Sequence, residues 1–501
     1  MAVGAVLATG GVAAWSAGLF HDERQGRSVA GQGLPRVSRE LTTRPLERVR
    51  LPKPPPSPRP INKAFPGLTT FRGNATRTYY GRGPVPRDPA VLWQYPVEGA
   101  MCAMSEVQGE PRKWCGTGWT GQPNVIQHPN GRIEVREGAY DDRYHFLDGR
   151  TGEPVRPDLV TGDLAKGSAT SDPDGFPLYY AGSRDDLLRI VALDRSTPTV
   201  LWSLDSVTSV PVPRWNSDWD GAPLVVGDYL LEGGENSWFY VVKLNRRYDD
   251  GLVQVEPKVV MKVPAWDDRL LGDLGDGEVS IEGSVAFDDG VAYFANSGGL
   301  VQGWDISDVL RGGTEWRRVF RFWTGDDTDA SIAIDEEGFL YVGVEYQRKN
   351  ARDREVGQIL KLDPNKPRHP LVWNVHATDI GFEGAGGTWG TPALYGPVVY
   401  DTTAAGDVLA IDRESGRVVW REHLAPPTIG SPVPVDGTLL VGDCAGVLHA
   451  FDVSKPRHPR PRWTLQLPGC IESTPAVWRG MVYVGTRAGK IYGIGAKSEA
   501  G

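Results

Sequence analysis

Short apolar runs fill residues 90 to 495, separated by turns rich in Gly, Pro and Asp, a pattern of many short strands rather than of helices. One unit recurs. An apolar strand is followed by a Gly or Asp turn and a second apolar strand that ends in a small or apolar residue and then Asp. A tight turn and a Trp close the unit. The cleanest copy is Ala410 to Trp420, AIDRESGRVVW. The copy from Ala192 to Trp202, ALDRSTPTVLW, keeps the Ala, Asp and Trp and has Pro198 in place of Gly. Longer turns separate Asp from Trp in KLDPNKPRHPLVW (361 to 373) and AFDVSKPRHPRPRW (450 to 463). Weaker copies lie around Asp148, Asn245 and Asp305, and YGIG at 492 to 495 breaks off after its third strand.

An Asp opening such a turn accepts backbone N–H bonds, Gly416 supplies positive φ, and the Trp lands on a sheet face where it wedges against a neighbouring sheet. The anchors at 148, 194, 245, 305, 363, 412, 452 and 495 are 40 to 60 residues apart, the period of a propeller blade. Eight anchors predict an all-β fold: one eight-bladed β-propeller. The last unit lacks an outer strand, while AVLWQYPV at 90 to 97 has a Trp and no blade of its own, so pairing the two closes the ring and hides two edges. Composition agrees: Gly 62 and Pro 40 exceed a fifth of the 501 residues, and Trp 17 is high.

The A-x-D-x-x-x-G-x-x-x-W spacing at Ala410, Asp412, Gly416 and Trp420 resembles the tryptophan-docking motif of pyrroloquinoline-quinone (PQQ) type propellers, over about four-fifths of the chain. That family holds quinoprotein alcohol dehydrogenases and non-catalytic propellers of outer-membrane assembly. The dehydrogenase branch would imply a quinone between a Trp and a ring of two adjacent cysteines, with Ca²⁺ on a carboxylate and an Asn, and an Asp as general base. Here Cys102, Cys115, Cys444 and Cys470 are all separated and no C-x-x-C-H occurs. PQQ is therefore not expected, and the reading leans away from an enzyme.

In a propeller, the loops leading into each innermost strand and those joining the second and third strands share one face. On these loops fall Trp119, Trp215, Trp219, Trp323 and Trp389, with Lys166, Asp218, Asp220, Glu282, Asp326, Asp327, Asp329 and Glu472. Trp119, Lys166, Trp215, Trp389 and Glu472 are the candidate ligand-binding residues. Asp218, Asp220, Glu282, Asp326, Asp327 and Asp329 are the candidate ligands of a hard cation such as Ca²⁺. Crowded carboxylates repel one another unless a cation relieves them, and Lys166 is an internal alternative to a metal. Asn216-x-Asp218-x-Asp220-Gly221 begins like a calcium loop but has Gly227 where a bidentate Glu would stand. Among other enzyme signatures, G-x-S-x-G, H-E-x-x-H and the P-loop are absent from the sequence.

Residues 2 to 20 carry no charged side chain and as a helix would reach roughly 28 Å, enough for a signal peptide or membrane anchor. No Lys or Arg precedes them, as expected if the start is placed too far downstream. A Pro/Arg-rich stalk is expected over 21 to 66, including PKPPPSPRP, and the propeller over 67 to 501. Four cysteines suit two bridges in an oxidising compartment. Cys444 with Cys470 and Cys102 with Cys115 are the expected pairs, with cross-pairing open because all four fall on one face. The net charge of −9 argues against nucleic acid as a partner. Together these features predict a membrane-tethered or secreted extracytoplasmic monomer that binds a small molecule or an envelope protein around its channel. A quinoprotein-type oxidoreductase is the runner-up, and an envelope assembly scaffold is third.

Overall fold

The computed structural model describes residues 59–107, 110–119 and 121–500. The expected anchor at 1–20 and most of the expected stalk lie outside them. Among the described residues no helix is long and apolar enough to cross a membrane. Eight antiparallel sheets succeed one another along the chain. Numbered in order, blades 1 to 7 span 124–160, 170–205, 224–264, 286–323, 333–375, 393–423 and 433–466. Blade 8 takes its three inner strands from 476–496 and its outermost from Pro89–Tyr95, which pairs antiparallel with Lys490–Ala496, Ala90 facing Gly495. The N-terminal strand thus closes the ring as the sequence predicts.

The Trp of the repeat works across blades. Trp373 ends blade 5 against the turn of blade 6: its indole donates to the Arg413 carbonyl at 3.0 Å. A Cβ on Gly416 would come within 2.6 Å of that ring, and Gly416 sits at φ +71°. Only glycine meets both demands. The ring closure repeats the device: Trp93 of the closing strand donates to Gly149 O at 3.1 Å and lies on Gly152, at φ +73°. Around the channel a second device joins the loops that lead into the innermost strands. A hydroxyl of one blade accepts a backbone N–H of the blade before it: Ser284 from Ala222, Ser331 from Ser284, Thr391 from Ser331 and Ser431 from Thr391, all at 2.8 to 3.0 Å.

Residues 59–82 form a plug in the channel. Pro66 and Arg82 sit at the far ends of inner strands, and Phe71 is the apex beneath the loop face. On the way up Leu68 pairs with Val125 of blade 1, and Thr69 accepts from Ser171 of blade 2. Arg77 bonds the carbonyls of Ala222 and Val285 (blades 3 and 4), and Thr76 accepts from Ile334 of blade 5. Arg72 donates to Thr391 O and Pro432 O, leading into blades 6 and 7, and Gly81 runs beside Val477 of blade 8. Every blade is touched. The channel is therefore blind, with its mouth on the face of the lead-in loops.

Candidate functional site

Lys166, from the loop leading into blade 2, lies among three carboxylates. Its Nζ is 3.1 Å from Asp218, 2.8 Å from Asp220 and 3.0 Å from Glu235. The two aspartates come from the loop leading into blade 3, and Glu235 from the connection between its second and third strands. Asn216 donates to the second oxygen of Glu235 at 2.7 Å, and Arg184 stands 3.5 Å from Asp218. Burial, then repulsion by Glu235, lifts Asp218 to about 7, although Lys166 pulls it down. Burial likewise lifts Asp220 to about 6 and Glu235 to about 7. Burial would lower Lys166, but its three partners outweigh burial and hold it well above the usual ammonium range.

Two blades on, the same arrangement recurs. Asp327 and Asp329 lie in the loop leading into blade 5 and Glu345 in its second-to-third connection, with carboxylate oxygens all within 4.8 Å of one another, as in the first trio. The spacing is D-x-D in both, with Glu 15 residues later in one and 16 in the other. This trio contains no ammonium. Oxygens of Asp327, Asp329 and Glu345 are buried without a hydrogen-bond partner. Burial, followed by mutual repulsion, raises Asp329 and Glu345 well above the carboxylate range, and burial lifts Asp327 to about 6 against the pull of Arg348. Glu282 of blade 4 stands between the trios, lifted to about 8 by burial and by the charges of Glu235 and Asp327.

The mouth opens as a small cavity between these carboxylates and two indoles. Asp220, Glu282 and Asp329 line one side, and Trp119, Trp389 and Ile429 the other, over a floor of Phe71. Trp119 and Trp389 meet edge to face at 5.5 Å, and Phe382 packs on Trp389 at 5.2 Å. The other residues singled out in the sequence do different things. Asp326 turns to the second-to-third-strand connection of blade 5 and accepts the backbone N–H groups of Gln347 and Arg348 at 2.8 and 2.7 Å. Glu472 accepts the backbone N–H of Trp119 and stands 3.6 Å from Arg487, so it props the Trp119 loop. Trp215, at φ +67°, does not line the cavity. Trp219 is core, donating to Asp186 O, and Trp323 donates to Gly298 O within its own blade. Glu235 and Glu345 carry no signal within their own strand connections and are absent from the sequence-based candidates. The signal was the twin spacing, visible only when blades 3 and 5 are aligned.

Cys102 is bonded to Cys115 across a two-stranded hairpin, and Cys444 to Cys470. Residues 404–498 match a family of PQQ repeats described as outer membrane protein assembly factor BamB. The repeats within 404–498 are PQQ-like. No curated protein matches the chain in sequence. Among solved structures it is similar to the quinohemoprotein alcohol dehydrogenase of Comamonas testosteroni (TM-score 0.55, 13% identity, 87% of this chain and 81% of that one). It is similar too to a quinohemoprotein alcohol dehydrogenase of Pseudomonas putida HK5 (0.57, 12%, 86% and 80%) and to a europium-containing methanol dehydrogenase (0.54, 12%, 86% and 98%). These likenesses are of fold. The mouth does not fit PQQ: Trp119 and Trp389 meet edge to face rather than facing each other across a slot. The disulfides, 13 and 26 residues apart in sequence, make no ring of adjacent cysteines.

Proposed function

We propose that the protein is an extracytoplasmic binding propeller that takes its ligand at the blind channel mouth, beside a divalent cation held by Asp327, Asp329 and Glu345. The twin trios carry this reading. Both bring three carboxylates together, all buried in the first and part-buried at Asp327 and Asp329 in the second, and the first contains its own cation, Lys166. Among the described residues the second trio has only Arg348 beside Asp327 to offset three crowded carboxylates, so a cation from solution would relieve it. Its donors are all carboxylate oxygens, the ligands of Ca²⁺. The two disulfides support an oxidising compartment.

Calcium titration tests this. An ion bound only by the folded state stabilises it by about 2.7 kcal/mol at a hundredfold excess over Kd. The melting temperature is expected to climb with Ca²⁺ and fall with chelator. Asp327→Asn with Glu345→Gln abolishes the response. Lys166→Met leaves the first trio without its ammonium and is expected to add a second Ca²⁺ per chain by calorimetry. A melting temperature indifferent to Ca²⁺ and chelator in the unaltered protein would refute the cation. Dye reduction on adding PQQ with Ca²⁺ would favour the dehydrogenase reading instead.

A further inference from the structure

The mouth has two unlike walls, and no metal ion satisfies both. A divalent cation takes oxygen ligands, which the carboxylates supply and the indoles do not. What fits between them must present positive charge to Asp220, Glu282 and Asp329 and carbon surface to Trp119, Trp389 and Ile429. The chain already contains one such group. Lys166 sets an ammonium 5.9 Å from the Trp119 ring centroid while pairing with Asp218, Asp220 and Glu235, and its butyl stem is the carbon surface. Toward Trp389 the same combination of indole and carboxylate recurs without a lysine among the cavity residues.

We propose that the ligand of this mouth is an organic cation, an amine whose ammonium enters between Glu282 and Asp329 with its carbon chain on Trp389, as Lys166 does beside Trp119. The inference rests on the reading of the mouth as a ligand site. Chemistry separates an amine from the alternatives. An anion meets a wall of carboxylates. A neutral sugar stacks on the indoles but leaves the acid wall uncompensated. An alkylammonium meets both walls, and cation–π attraction adds to its ion pair. Ser280 and Ser297 donate to one oxygen of Glu282, at 2.9 and 3.3 Å, and fix that carboxylate in place. The plug makes the pocket one-ended, with Phe71 under the ligand's inner end. Small unbranched amines are therefore favoured over bulky ones.

The test uses the full chain saturated with Ca²⁺, titrated with putrescine, with glucose as the neutral control and NaCl matched for ionic strength. Tryptophan fluorescence and calorimetry should report saturable putrescine binding and none of glucose. Glu282→Gln should weaken it about tenfold, the usual loss of one charge-assisted contact. Trp389→Leu should weaken it similarly and remove most of the fluorescence change. Both variants should keep the Ca²⁺-dependent melting shift, which shows that they fold. Glucose binding with no putrescine binding overturns the inference, as does putrescine binding unchanged in both variants. Loss of the Ca²⁺ response with putrescine binding retained would sink the cation at Asp327 and leave the amine site standing.

Discussion

At the scale of single residues, charge is placed where the fold leaves it no water. His145 of blade 1 is 1% exposed and lies between two carboxylates, Asp141 at 3.1 Å from Nε2 and Asp158 at 3.1 Å from Nδ1, with Tyr95 of the closing strand 5.0 Å from its ring. Burial alone would lower its pKa. The two acids overcome that and raise it from 6.5 to about 9. A cationic group whose pKa is higher folded than unfolded contributes its full stability below the unfolded value and loses it as pH rises through the folded one. Stability from His145 is therefore complete below pH 6.5 and gone above about 9, with a size of up to about 3 kcal/mol. Urea unfolding across that window should show the decline. His145→Gln should be less stable at pH 6 and match the unaltered protein above pH 9. A variant with an undiminished slope would remove His145 as its source.

At the scale of elements, the plug shows how a segment without regular structure is held. Two of its four arginines, Arg72 and Arg77, are fully buried, and Arg77 spends its N–H groups on the carbonyls of Val285, Ala222 and Phe71 and the hydroxyl of Thr70. Burial depresses Arg77 to about 9. A planar five-donor fork suits this radial arrangement and a lysine does not. Arg77→Lys is expected to cost about 3 kcal/mol, because several carbonyls lose their donor in the interior. Arg417→Lys on the exposed turn of blade 6 is the control and should change stability by less than about 0.5 kcal/mol. Equal melting temperatures for the two variants would show that the plug is not held by its arginine.

At the scale of the whole molecule, closure depends on one short N-terminal stretch, with residues 59–82 filling the channel and Pro89–Tyr95 completing blade 8. Deleting 1–58 leaves every contact described here in place and should give a folded, soluble protein. Deleting 1–98 removes the plug, Trp93 and the partner of Lys490–Ala496, exposing an unpaired edge, and is expected to aggregate. Gel filtration of the two truncations decides it, and identical monomeric profiles would mean that the ring stays shut by other contacts.

Period, repeat and turn chemistry are local properties, and the sequence alone carried them: eight units, Asp412 and Gly416 in the cleanest turn, the packing role of Trp373 and Trp420, and the strand at 90 to 97 that completes the ring. The site was only half legible. Asp218, Asp220, Asp327 and Asp329 stand out because they crowd one loop each. Glu235 and Glu345 join them from strand connections 15 and 16 residues further on, which only the blade's fold brings to the same point. The structure alone decided that Lys166 serves one trio and not the other, that Asp326 turns inward to backbone N–H groups, and that the segment from 59 to 82 rises into the channel. Each of these depends on distances between loops that lie apart in sequence. A repeat specifies the blade from within itself, whereas a charge in the channel is priced by whichever loops the closed ring sets around it.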